Sequence, residues 1–211
     1  MSLAALPNHN RVNDPLWRTL FHRYRHVITP LRYNGWTTDV ELGGGEYVIR
    51  ADLGDGTELV IASAHALPAN SADVDGWTAV RQGIDKPEVH TAVYDSTPDG
   101  TQRHHGASLV PLFMRISELD APTAPTQLVV SATHTSSFGV NHNQTAGIEA
   151  AAVAAARFFD WSERLVTVEG YQPVWERPGR EGHLLALFEN SGDITTVRVT
   201  PWHGDPPHPR P

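Results

Sequence analysis

The chain contains no cysteine, which removes disulfides, thiolate nucleophiles and cysteine-ligated zinc or iron–sulfur centres, so the fold must stand on packing alone. Lysine is nearly missing too. Lys86 is the only one, and the other basic residues are arginines; with abundant Ala and Pro this looks like the coding bias of a GC-rich genome. Lys86 sits in Ile84-Asp85-Lys86-Pro87, far from any glycine pattern of the phosphate-loop kind, which excludes nucleoside triphosphate hydrolysis by that route. Long apolar runs are also lacking. The longest, Ala150 to Ala156, is bounded by Glu149 and Arg157 and falls far short of the ~20 residues that span a bilayer. Met1 to Asn13 lacks the charged start and apolar stretch of a secretory signal. The expectation is a soluble cytoplasmic protein without a membrane partner. Neither a G-x-S-x-G elbow nor an H-E-x-x-H helix occurs, which removes the readable hydrolase and metalloprotease signatures, and no cofactor is implied.

What is present is the composition of a folded chain. Of 211 residues, 40% are hydrophobic and 19% charged, values that oppose disorder. The net charge of −8 opposes a general affinity for nucleic-acid phosphates, since a net acidic surface repels them.

One pattern occurs twice: a helix reaching an aromatic-Trp step, then short β-branched strands separated by Gly/Asp turns. In the first, Tyr33-Asn34-Gly35-Trp36 leads into strands from Thr37 to Ala62 with a Gly54-Asp55-Gly56 turn. In the second, Phe158-Phe159-Asp160-Trp161 leads into Leu165 to Val168, His183 to Glu189, a Ser191-Gly192-Asp193 turn and Ile194 to Val199. The fold class expected is α+β, antiparallel sheet built from two helix-plus-meander units with helices packed on one face.

Asp14-Pro15 has the form of a cap and first-turn proline, after which Leu16, Leu20, Tyr24, Val27 and Leu31 recur at helical spacing. Pro30 predicts an end or kink near Thr29. Further strand signals at 77–81 and 90–94 complete a five-stranded sheet, and 107–118 suits a short helix if Pro111 lies in its first turn. Asn143 is read as the cap of a helix in which Ile148, Ala152, Ala155 and Phe159 share a face. The organisation expected is a flexible segment 1–13, a first unit 14–119, a proline-containing linker 120–126, a second unit 127–199 packed on the first, and a Pro-rich tail 200–211.

Asn34-Gly35-Trp36, Asp52-Leu53-Gly54-Asp55-Gly56 before a strand, Trp77, Val93 to Gly100, and the run from Leu128 to Phe159 together resemble the SPDY-type domains of unknown function of streptomycete proteins. The element Ser-Pro-Asp that names the family is absent; Ser96-Thr97-Pro98-Asp99 comes nearest, at another place in the order. The resemblance implies an actinobacterial accessory protein of a mobile element and carries no catalytic residues with it.

Among candidate sites, Asp73-Val74-Asp75-Gly76 resembles part of a calcium loop, but Gln82 stands where the bidentate glutamate belongs, which favours a plain turn. His22 and His26, four apart, have the spacing of a helical metal chelate but are two ligands only. His134-Thr135-Ser136-Ser137 with His142 offers a general base and hydroxyls, or a polar loop entering a helix. Arg18, His22, Arg23, Arg25, His26 and Arg32 make the one concentrated basic surface, able to meet phosphates, an acidic partner, or the chain's own carboxylates. Trp175 and Trp202, beside prolines and glycines, are the candidate partner-binding residues, the other tryptophans suiting the core. The reading favoured is a non-enzymatic protein-interaction or assembly module that binds a protein partner or itself. A nucleic-acid accessory role for the basic helix and an enzyme with a His-centred site are the alternatives.

Overall fold

The structure, a computed structural model, describes residues 3–43, 45–119, 127–136, 141–178 and 184–201. The expected linker 120–126 and the tail beyond Pro201 lie outside them.

Asp14 caps the first helix, α1 (Pro15–Arg23): its Oδ1 accepts from the Leu16 amide at 2.7 Å, with Pro15 in the first turn. The helix does not run on to Thr29. It breaks at Tyr24 and resumes as α2 (Arg25–Tyr33), with Pro30 inside the second piece. The proline ring crowds the carbonyl four residues back, that of His26, so the distortion falls upstream of the ring. Tyr24 is fully buried at the break and its hydroxyl donates to the Pro68 carbonyl at 2.5 Å, fixing the bend.

A meander follows: β1 (Thr37–Gly43), β2 (Glu46–Asp52), β3 (Thr57–Ala62), β4 (Thr78–Gly83) and β5 (His90–Asp95), paired in that order and all antiparallel. Gly54 and Gly56 turn β2 into β3 at φ of 78° and 84°, a region that a side chain disfavours. Period-two alternation turns Val40, Ile49, Leu59, Ile61 and Ala79 towards α1, α2 and α3 (Leu109–Ile116), where Leu20, Ile28, Leu31, Leu112 and Phe113 complete a core around Trp36 and Trp77. On the other face Arg50 pairs with Glu41 and Glu58, a solvated network across three strands.

The second sheet has the order β7-β6-β10-β9-β8 and is antiparallel throughout: β6 (Gln127–Thr135), β7 (Asn141–Ala150), β8 (Gln172–Pro178), β9 (Leu184–Asn190) and β10 (Asp193–Pro201). The stretch with the expected Asn143 cap is strand β7, and α4 (Ala151–Thr167) starts only after it. Residues 165–167, expected as strand, belong to α4; the strand actually present there is β8, which two prolines disguise. Small side chains let α4 approach on two sides. Ala152, Val153 and Ala156 join the first core, while Ala151, Ala154, Ala155 and Phe158 face Leu128, Val130, Ala186 and Val197 of the second sheet. Each sheet thus carries helices on one face, and the helices lie between the two. Among the described residues no helix is long and apolar enough to cross a membrane.

Candidate functional site

β6 and β7 place His134 directly opposite His142, their rings 6.3 Å apart and 24° from parallel. Because His134 shares the helix-facing side of β6 with Leu128, Val130 and Ala132, its ring enters the space under α4. There two hydroxyls converge on its Nδ1, each at 3.0 Å: Oγ1 of Thr195 from β10, and the Tyr171 phenol from the turn after α4. Thr195 and Tyr171 are both buried. Nδ1 either accepts from one hydroxyl or donates to the other, and both states fix the imidazole plane.

α4 ends before it covers this end of the sheet, leaving an open cavity of about 550 Å³. Ala132, Val197 and Leu165 supply apolar surface; Trp161, Asn143, Gln144 and Asp193 complete the walls. Arg164 and Glu169, 3.3 Å apart, form an ion pair at the rim. A few convergent polar groups over apolar surface are the usual make-up of a binding cavity. His134 and His142 are the histidines that the sequence singles out; of the hydroxyls read with them, Thr135 is exposed and Ser137 lies outside the described residues, while the two hydroxyls on His134 Nδ1 come from 37 and 61 residues away.

The cavity opens beside β7, one of four edge strands. The other three are blunted. On β5, Asp95 exchanges hydrogen bonds with Gln102 (2.8 and 2.9 Å), and Arg115 donates to the Val93 carbonyl. β8 contains Pro173 and Pro178, which lack amide protons. On β1 the Asp39 carboxylate takes the Val40 amide at 2.7 Å while also binding Trp17 Nε1 and His9 Nε2. β7 contains no proline, lysine or arginine, and its one carboxylate, Glu149, is held by Arg157 of α4; its pairing with β6 is irregular only at 146–147. Asn143, Gln144 and Thr145 are exposed. Among the described residues nothing covers the outer edge of this strand.

The basic cluster is divided by the helix break. Arg18, His22 and Arg23 are exposed, and Arg23 reaches the Ala69 carbonyl. Arg25 pairs with Glu176 of β8 across the two units, 2.5 Å apart. His26 turns inward between Trp77 and Phe159, with ring centroids at 6.0 and 6.4 Å; burial, aided by the Arg25 charge, pushes its pKa down to about 4 against one opposing backbone hydrogen bond. His22 and His26 therefore do not share one surface. The described residues contain no group of three or more metal-binding side chains. The Trp175 backbone lies on β8 opposite Leu187, in a strand and not in a loop; its side chain, and all of Trp202, lie outside the described residues.

Comparison with protein-family models, with curated proteins and with solved structures finds no match.

Proposed function

We infer that the protein is a non-enzymatic interaction module that takes an extended segment of a protein partner onto the β7 edge, in the groove between that strand and the end of α4. The observation that carries this reading is the contrast among the four edges: three are blunted, and among the described residues nothing covers the fourth, which is ten residues long. A strand added there gains main-chain hydrogen bonds from β7, and its alternate side chains reach the cavity beside His134. Neutral polar side chains on the strand suit a partner that binds through its backbone.

Affinity purification from the cells of origin, with wild type and Thr145→Lys side by side, tests it. Thr145 is exposed, so the lysine leaves the fold intact while opposing strand addition. The expected result is a partner recovered by wild type and lost by the variant; equal recovery by both refutes the reading.

A His-centred enzyme is the second reading, favoured by the fixed imidazole and by the Asp193 and Glu169 carboxylates that line the same cavity. The two readings separate on His134→Gln. A backbone-reading module keeps its partner in that variant, whereas a site working through the imidazole loses its activity.

A further inference from the structure

We propose that the strand received at the β7 edge is β7 of a second copy, paired antiparallel about a two-fold axis at Thr145, so that two five-stranded sheets become one of ten. This rests on the edge reading above and names its partner.

The symmetry restricts the register. A two-fold perpendicular to the sheet at Thr145 places Thr145 against its own copy and Gln144 against Ala146; an extra residue of β7 at 146–147, opposite Val130 of β6, ends the regular pairing beyond them. The long Gln144 side chain thus meets a position with a short one. The faces agree as well: Gln144 pairs with Ala132 on the helix-facing side, and Ala146 packs against the second core. At the centre, two threonines directly opposite each other form a favourable cross-strand pair.

Charge points the same way. A two-fold axis sets every charge near it against its own duplicate, and this chain carries 24 acidic residues against 16 basic ones. Yet the 143–147 segment carries none, and the strand's one carboxylate, Glu149, is neutralised within its own subunit by Arg157, which makes two contacts of 2.9 Å to it through Nε. Like-charge repulsion is therefore missing along the strand, where an edge protected against its own copy would carry it.

Sedimentation equilibrium of the purified full-length protein tests the proposal, over loading concentrations from about 1 to about 100 μM, the range in which weak to moderate dimers dissociate. Wild type is expected to approach twice the 23.1 kDa of one chain. Thr145→Lys and Thr145→Glu, each repelling itself at the axis, are expected to stay monomeric with unchanged circular dichroism, and an equimolar mixture of the two to recover the dimer. A dimeric Thr145→Lys, or a mixture that stays monomeric, overturns the pairing. So does a monomeric wild type; the edge reading then stands if the partner recovered from cells is lost in Thr145→Lys, and falls with the proposal if it is not.

Discussion

Gly76 and Gly100 have no room for a β-carbon. One at Gly76 would lie 2.3 Å from the Ser96 carbonyl oxygen, and one at Gly100 would lie 2.2 Å from Asp95 Oδ1. Neither neighbour can yield. Ser96 is buried and bonded to the Trp77 amide and the Gly106 carbonyl, while Asp95 Oδ1 accepts from Thr97 at 3.1 and 2.7 Å. Gly76→Ala is expected to cost about 1–3 kcal/mol in denaturant titrations, whereas Gly43→Ala, in open space, should stay within about 0.5 kcal/mol. Equal effects at the two positions would rule out the crowding argument. His26 gives a pH dependence. Its folded pKa, about 4, is below the ordinary value of 6.5, so the unfolded chain binds the proton more tightly. The contribution is fully present above 6.5 and is lost as pH falls towards 4, by roughly 3 kcal/mol. His26→Gln should flatten stability over this window, and a slope unchanged in that variant would assign the acid sensitivity to other groups.

At the level of elements, α3 lacks a cap of its own: the Ser108 side chain makes no capping bond. Asp160 of α4 supplies one from 50 residues away. Its carboxylate accepts from Ser108 Oγ at 3.1 Å and from the Leu109 and Val110 amides at 3.4 Å, and burial raises its pKa against the pull of those three donors. Asp160→Ala should cost about 1–2 kcal/mol and speed hydrogen exchange at Leu109 and Val110 before the rest of the chain. Exchange there no faster than in wild type would argue against the cap. This distant cap was invisible in the sequence, where Asp160 was part of an aromatic-Trp step. Local signals fared better. The Asp14-Pro15 start, the five strands of the first sheet and the position of Pro111 early in α3 were all legible, because each depends on neighbours a few residues away. The missed elements follow from contacts between distant segments. β7 has the letters of a capped helix, with Asn143 leading towards an alanine run, and only its pairing with β6 makes it a strand. β8 reads as a loop from Pro173 and Pro178, which an edge position accommodates. Likewise His134 and His142 were legible as candidates, while Tyr171 and Thr195 were not, since only the sheet register and the end of α4 bring them together.

For the whole molecule, the question is whether two sheets with two cores unfold as one. α4 belongs to both cores. Ala152, Val153 and Ala156 pack into the first and Ala151, Ala154, Ala155 and Phe158 into the second, while Tyr33 of α2 is buried in the second core. Detaching either half would strip apolar surface from the other, and each buried aliphatic or aromatic group exposed costs about 1.5–3 kcal/mol. Ion pairs add little to this coupling, because the Arg25–Glu176 bridge between the units is partly exposed, with 43% and 27% of the two side chains accessible. Burial shared through one helix is therefore the term that joins the halves. Scanning calorimetry is expected to show a single transition whose calorimetric and van't Hoff enthalpies agree. Ala152→Leu, overfilling the contact of α4 with the first core, should lower that one transition by about 2–4 °C for each kcal/mol lost and leave it single. If the variant instead splits the trace, with one component held at the wild-type temperature, α4 does not couple the two cores and each sheet stands on its own packing.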